Sequence, residues 1–123
     1  MNPNEYQKAA LRTESSDSIS EVFNTDVKHI DIVRLLNGAA GLCGESGEVM
    51  DLIKKHLFQG HELDKEHVAK ELGDVAWYLA VAADAIGYDL EFILKMNIDK
   101  LRSRYPGEGF DSERSKHRKV GDI

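Results

Sequence analysis

The sequence predicts an all-α fold with a four-helix bundle-like core. Apolar residues recur at helical spacing through three long segments: Leu35, Ala39, Leu42, Val49, Ile53 and Leu57; then Val68, Leu72, Val75, Leu79, Ala82, Ala83 and Ile86; then Leu90, Ile93, Leu94, Ile98 and Leu101. Capping and stop residues bracket these segments. No stretch alternates as a half-buried strand does. With 123 residues, 41% hydrophobic and 31% charged, the chain can bury one core without disulfides. It reads as a single domain over 1–123, with a core over about 4–106 and a polar tail over 107–123.

Taken in order, Asn4 with Gln7 predicts the cap of a first helix from Glu5 to about Arg12, with Tyr6, Ala9, Ala10 and Thr13 giving it a modest face. Residues 13–28 are serine-rich and read as an irregular connection with a short turn at Ile19 to Phe23. The second helix starts near Ile30 and ends before Gly60. It carries Gly38, Gly41, Gly44 and Gly47, each costing a helix interior up to about 1 kcal/mol against alanine. Close helix packing, room for a ligand, or a kink at Gly38 to Gly41 would account for them. Asp64 caps the third helix and Gly87 stops it at C′. Asp89 caps the fourth, which ends before Pro106. The tail gathers Arg114, Lys116, Arg118 and Lys119.

A net charge of −6 argues against binding nucleic acid polymers. The lone Cys43 excludes an internal disulfide, fits a reducing compartment, and reads as a small semi-buried side chain. The first thirty residues lack a leader-like apolar run, and no segment is apolar enough to cross a membrane, so a cytoplasmic protein is expected.

Function concentrates between Gly41 and Tyr78. Glu45 with Glu48, and Glu71 with Asp74, are two carboxylate pairs at a spacing of three, which puts each pair on one helix face. The second pair follows the first by 26 residues in matching surroundings, with Leu42 answering Val68, Val49 answering Val75, and Ile53 answering Leu79. An antiparallel hairpin would set four carboxylates against one another at the core edge. Such a group repels itself unless cations or protons neutralise it. Hard oxygen ligands without histidine favour Mg²⁺, with Mn²⁺ as a substitute, over zinc or a di-iron site.

Lys54 and Lys55 lie one to two turns past Glu48, and Lys100, Arg102 and Arg104 end the fourth helix. They read either as solvated helix-end cations or as phosphate ligands. Asn97 faces the other helices, as a buried amide or a hydrogen-bonding group for phosphate or base. Tyr78 shares a sector with Glu71 and Asp74 and suits a pocket wall; Trp77 points away from the core stripe and suits a subunit contact; for both rings core packing is the plain reading and stacking on a base the functional one. The five histidines, His56 nearest the acids in sequence, read as structural or exposed. No glycine-rich loop of the Gly-Lys-Ser/Thr kind is present.

Three segments, Gly41-Leu-Cys-Gly-Glu-Ser-Gly-Glu-Val49, Lys70-Glu-Leu-Gly-Asp-Val-Ala-Trp-Tyr78 and Asn97-Ile-Asp-Lys-Leu-Arg-Ser-Arg-Tyr-Pro106, resemble the MazG-like all-α nucleoside triphosphate pyrophosphohydrolases. The opening Glu5-Tyr-Gln-Lys-Ala-Ala-Leu-Arg-Thr13 is also similar. The resemblance implies Mg²⁺-dependent cleavage of a nucleoside triphosphate between the α and β phosphates, in a homodimer or homotetramer with substrate near the subunit contact. It implies Glu45, Glu48, Glu71 and Asp74 as metal ligands, and Lys54 or Lys55, Asn97, Lys100 and Arg104 at the phosphates, with Tyr105 in the same motif. Gly44 stands where some members carry a second acid, which inclines the chain to the dCTP-pyrophosphatase-like branch and bears on the number of metals. Glu45 is the expected proton acceptor from the attacking water. A phosphoribosyl-ATP pyrophosphohydrolase-like enzyme and a non-catalytic helical interaction module are the alternatives.

Overall fold

A computed structural model describes residues 1–15, 26–107 and 109–123. Two compact units divide it, Met1–Leu90 and Glu91–Ile123. Apart from one two-residue bridge, every regular element among the described residues is helical, as the sequence predicts.

In the first unit, helix α1 (Pro3–Leu11) is capped by Asn2, whose side chain accepts from the Glu5 backbone N–H at 2.8 Å. The Glu5 carboxylate accepts in return from the Asn2 N–H at 3.1 Å. The expected cap, Asn4 with Gln7, is displaced by two residues, because Asn2-Pro3 supplies both the cap and a proline preset for the first helical turn. That frees Gln7 for the interior. Its amide nitrogen donates to the carbonyls of Ala80 and Tyr88, and its oxygen accepts from the Leu90 N–H at 3.0 Å. All of its strong polar atoms are thereby matched, the condition for burying it.

The turn expected at Ile19 to Phe23 lies outside the described residues. After it, β1 (Asp26–Val27) pairs antiparallel with β2 (Ile30–Asp31), Val27 opposite Ile30. Lys28 and His29 between them have φ of 53° and 64°, the pair of left-handed residues that a tight two-residue turn requires. Strands this short carry no alternation, so sequence pattern does not reveal them.

Helix α2 (Ile32–Gln59) starts at the Asp31 cap and ends at Gly60, whose φ of 70° is left-handed. It runs unbroken past all four glycines, so the kink is not formed. Helix α3 (Lys65–Ala85) is capped by Asp64 and followed by Gly87 at φ 80°, both as expected. The hairpin is antiparallel and in register. A Cβ on Gly38 would sit 2.8 Å from the Ala82 Cβ, and one on Gly41 would overlap the Tyr78 ring. Close packing therefore explains Gly38 and Gly41. Gly44 and Gly47 meet nothing within 4 Å, and packing does not explain them.

The closest line of α2 thus runs through Gly38, Gly41 and Glu45, one position before the expected stripe of Leu35, Ala39 and Leu42; Ala39 is exposed. The smallest residues take the seam, and larger apolar ones flank it. The core lies toward the C-terminal end of α3, where Ala80 and Val81 are fully buried and Ala10 and Leu90 complete the cluster. Leu72, expected in the stripe, is 53% exposed. Arg34 donates two hydrogen bonds to Glu14 and one to Asp84, all at 2.9 Å, tying the end of α1 to both hairpin helices.

Leu90 opens helix α4 (Leu90–Arg104). In the second unit, α4 is followed by the short helix α5 (Ser112–Lys116), capped by Asp111. Arg104 grips Asp122 with two hydrogen bonds of 2.8 and 2.7 Å, and Lys100 donates to the Ile123 carbonyl at 2.8 Å. The polar tail is thus structured within its own unit.

Candidate metal centre

The hairpin register that sets Gly38 on Ala82 and Gly41 on Tyr78 carries Glu45, one turn further along α2, to the level of Asp74 on α3. Glu45, Glu71 and Asp74 each offer a carboxylate oxygen within 4.8 Å of the others. Glu45 and Glu71 are half-buried and Asp74 is exposed. Glu48, the fourth residue of the expected quartet, is exposed and outside this group, though its charge still acts on Glu45.

Glu45 is held above its ordinary pKa. Partial burial is the main cause, followed by the Asp74 and Glu71 charges and a hydrogen bond with Glu71, which one shared proton would make. Crowding of this kind is the signature of a site that wants a cation. The donor set fits one: three hard carboxylate oxygens, with open space beside Gly44 and Gly47.

Glu45 and Asp74 share a cavity of about 370 Å³ with Thr13, Trp77 and Tyr78. Tyr78 stands in the pocket wall, where the sequence puts it. Trp77 does not point out to a neighbour. Its indole N–H donates to the Thr13 hydroxyl at 2.8 Å, and its ring packs on the core cluster of Ala10, Ala80 and Leu90. The Trp77 and Tyr78 rings meet edge to face, 4.9 Å apart at 82°.

Lys54 and Lys55 are both engaged by Asp51, at 3.3 and 2.8 Å, and these lysines hold the Asp51 carboxyl below its ordinary pKa. Lys100 and Arg104 are engaged within the second unit, and Asn97 is exposed on α4 rather than buried. Cys43 is exposed, not semi-buried, because it sits on the side of α2 away from the seam.

Sequence reasoning missed four participants. His67 Nε2 lies 3.2 Å from a Glu71 oxygen; their spacing of four on one helix was the available signal. The Tyr6 hydroxyl donates to the Gly73 carbonyl at 3.4 Å, and partial burial, then the Asp74 charge, raises its pKa. Thr13 and Asp51 complete the set; the sequence puts Thr13 on the face of the first helix, but does not reveal its Trp77 partner.

Comparison with known proteins fits this geometry. The model of the MazG nucleotide pyrophosphohydrolase domain matches residues 35–108. The Gene 37 protein of Mycobacterium phage L5 is 35% identical over 68 residues, covering 52% of this chain. The matched stretch spans 60% of that relative's length. No solved structure matches. Among the described residues no helix is long and apolar enough to cross a membrane.

Proposed function

This chain belongs to the MazG nucleotide pyrophosphohydrolase family, and on that footing we propose that it is a Mg²⁺-dependent hydrolase cleaving a nucleoside or deoxynucleoside triphosphate to the monophosphate and pyrophosphate. The observation that carries the reading is the convergence of Glu45, Glu71 and Asp74 from two helices, with Glu45 and Asp74 lining a cavity that has an aromatic wall. Such a cluster on a solvated helix face would be unremarkable without the pocket.

Glu45, Glu71 and Asp74 would hold the ion, with Glu48 beside them. When bound, Mg²⁺, or Mn²⁺ in its place, polarises phosphate oxygens and offsets the charge that develops during phosphoryl transfer. Glu45 takes the proton of the attacking water. Lys54 and Lys55 take phosphate oxygens that the ion does not reach, and Tyr78 walls the pocket. Gly44 before Glu45 inclines the substrate toward that of the dCTP-pyrophosphatase-like branch. The enzyme acts in the cytoplasm as a homodimer or homotetramer. Met50, Leu57 and Phe58 of α2 and Leu72 of α3 support self-association, being large, apolar and at least half exposed.

The test is a pyrophosphate-release screen of the purified chain with Mg²⁺ over canonical and modified NTPs and dNTPs, with phosphoribosyl-ATP alongside and the particle mass read by light scattering. Release from at least one nucleoside triphosphate is expected. Release from phosphoribosyl-ATP alone would move the chain to the related activity. No release from any compound, with no Mg²⁺-linked rise in melting temperature, would leave a non-catalytic interaction module. A single-chain mass would remove the oligomer.

A further inference from the structure

Trp77 and Tyr78 are each locked by something outside their own helix. The Thr13 hydroxyl accepts from the Trp77 indole at 2.8 Å and donates to the Ala10 carbonyl at 2.8 Å, so it is committed on both sides. The Tyr78 ring lies in the notch left by the missing side chain of Gly41. With both rings fixed, 82° apart, they make a rigid corner in a cavity that Glu45 and Asp74 also line. Aromatic planes beside an ion-binding group match a ligand that has a flat ring at one end and a polyphosphate at the other. The cavity, about 370 Å³, falls in the range that encloses such ligands, roughly 300–1,000 Å³.

We propose that Thr13 is a positioning residue that fixes the Trp77 indole as a wall for the nucleobase, so that recognition of the base is shared between α1 and α3. The inference rests on the nucleotide reading given above, but adds a contributor that reading lacks. Thr13 lies outside the segment 35–108 that matches the family model. Base preference would then depend partly on a part of the chain that the metal site does not use. The hydroxyl acts through the indole and does not touch the reacting phosphates.

Trp77 is the single tryptophan, so its fluorescence reports this pocket directly. The experiment titrates the protein, with Ca²⁺ in place of Mg²⁺ to slow turnover, with a nucleoside triphosphate that supports pyrophosphate release and with inorganic triphosphate. The nucleotide is expected to quench or shift Trp77 emission, and inorganic triphosphate to leave it nearly unchanged. Thr13→Val keeps the shape and removes both hydrogen bonds. It should raise KM roughly five- to tenfold with kcat within about twofold, the split expected of lost ground-state binding. Thr13→Ser restores the hydroxyl and should restore KM.

Equal emission changes with the two ligands, or a Thr13→Val variant that folds with unaltered KM, would overturn the proposal while pyrophosphate release still stood. A Thr13→Val loss that Thr13→Ser does not repair would also overturn it, by assigning the effect to shape alone. Absence of pyrophosphate release from every nucleotide would remove the underlying reading instead.

Discussion

The two ends of the α2/α3 hairpin are built from the same residue types and solve opposite problems. At one end Gly38 meets Ala82 across the seam, and the acids Glu14 and Asp84 close on the Arg34 guanidinium. Both of those carboxylates share the one guanidinium. At the other end the glycines, Gly44 and Gly47, touch nothing, and Glu45, Glu71 and Asp74 converge without a cation among their described partners save His67, charged only when protonated. The first end is arranged for packing. The second keeps an electrostatic conflict that stability alone would remove, and conflicts of this kind mark function.

The largest contrast should come from neutralising one acid at each end. Asp74→Asn removes a proposed metal ligand and should lower pyrophosphate release by at least about a hundredfold, the scale of losing one charge-stabilising group, with melting temperature unchanged or raised in the absence of metal. Asp84→Asn removes a partner of Arg34 and should do the reverse: activity within about twofold, stability lower by about 1 kcal/mol after allowance for its partial exposure. Steady-state assays and thermal melts on the two variants decide it. Near-normal turnover by Asp74→Asn would end the ligand assignment.

How far the sequence foresaw these two ends differs in kind. The acid end was legible in part: spacing puts Glu71 with Asp74 on one face, and both meet Glu45, whereas Glu48, paired with Glu45 by the same spacing, falls outside the group. The seam was legible only as one of three readings of the glycines, since periodicity favours the large apolar residues Leu35 and Leu42, whereas close approach selects the small ones at Gly38 and Gly41. Caps were readable wherever one candidate stood alone, as at Asp64, and misread where Asn2 and Asn4 competed. The roles of Thr13 and Gln7 were not legible because their partners lie 64 and 83 positions away in sequence, and no local pattern encodes such a pairing.

A second contrast uses the glycines themselves. Gly38→Val forces a side chain against Ala82 and should destabilise by about 1–3 kcal/mol, the usual cost of overpacking a tight contact. Gly44→Ala adds a methyl group to open space within a helix and should raise stability by up to about 1 kcal/mol. Denaturant unfolding of both variants measures the difference. If Gly44→Ala proves as damaging as Gly38→Val, the open face beside the acids is not open in the working protein.

The smallest effect, and the most specific, is in the pH dependence of the metal-free protein. Glu45 has a raised pKa in the fold, so between its ordinary value and the raised one the folded state binds more protons than the unfolded chain. Stability attributable to Glu45 therefore falls as pH climbs through that interval and stays low above it. Asp122 behaves in the opposite sense: Arg104 lowers its pKa, so its contribution is complete above the ordinary aspartate range and is lost as pH falls through the lowered value. Comparing Glu45→Gln with the parent chain in chelator isolates the first term from every other carboxylate. The melting temperature of the variant minus that of the parent should grow as pH rises from about 4 to about 8, and saturating Mg²⁺ should shrink the gap, because the ion relieves in the parent what the substitution removes. A difference independent of pH and of Mg²⁺ would mean that the three carboxylates do not sense one another, and the acid end would then be no different in kind from the end that Arg34 neutralises.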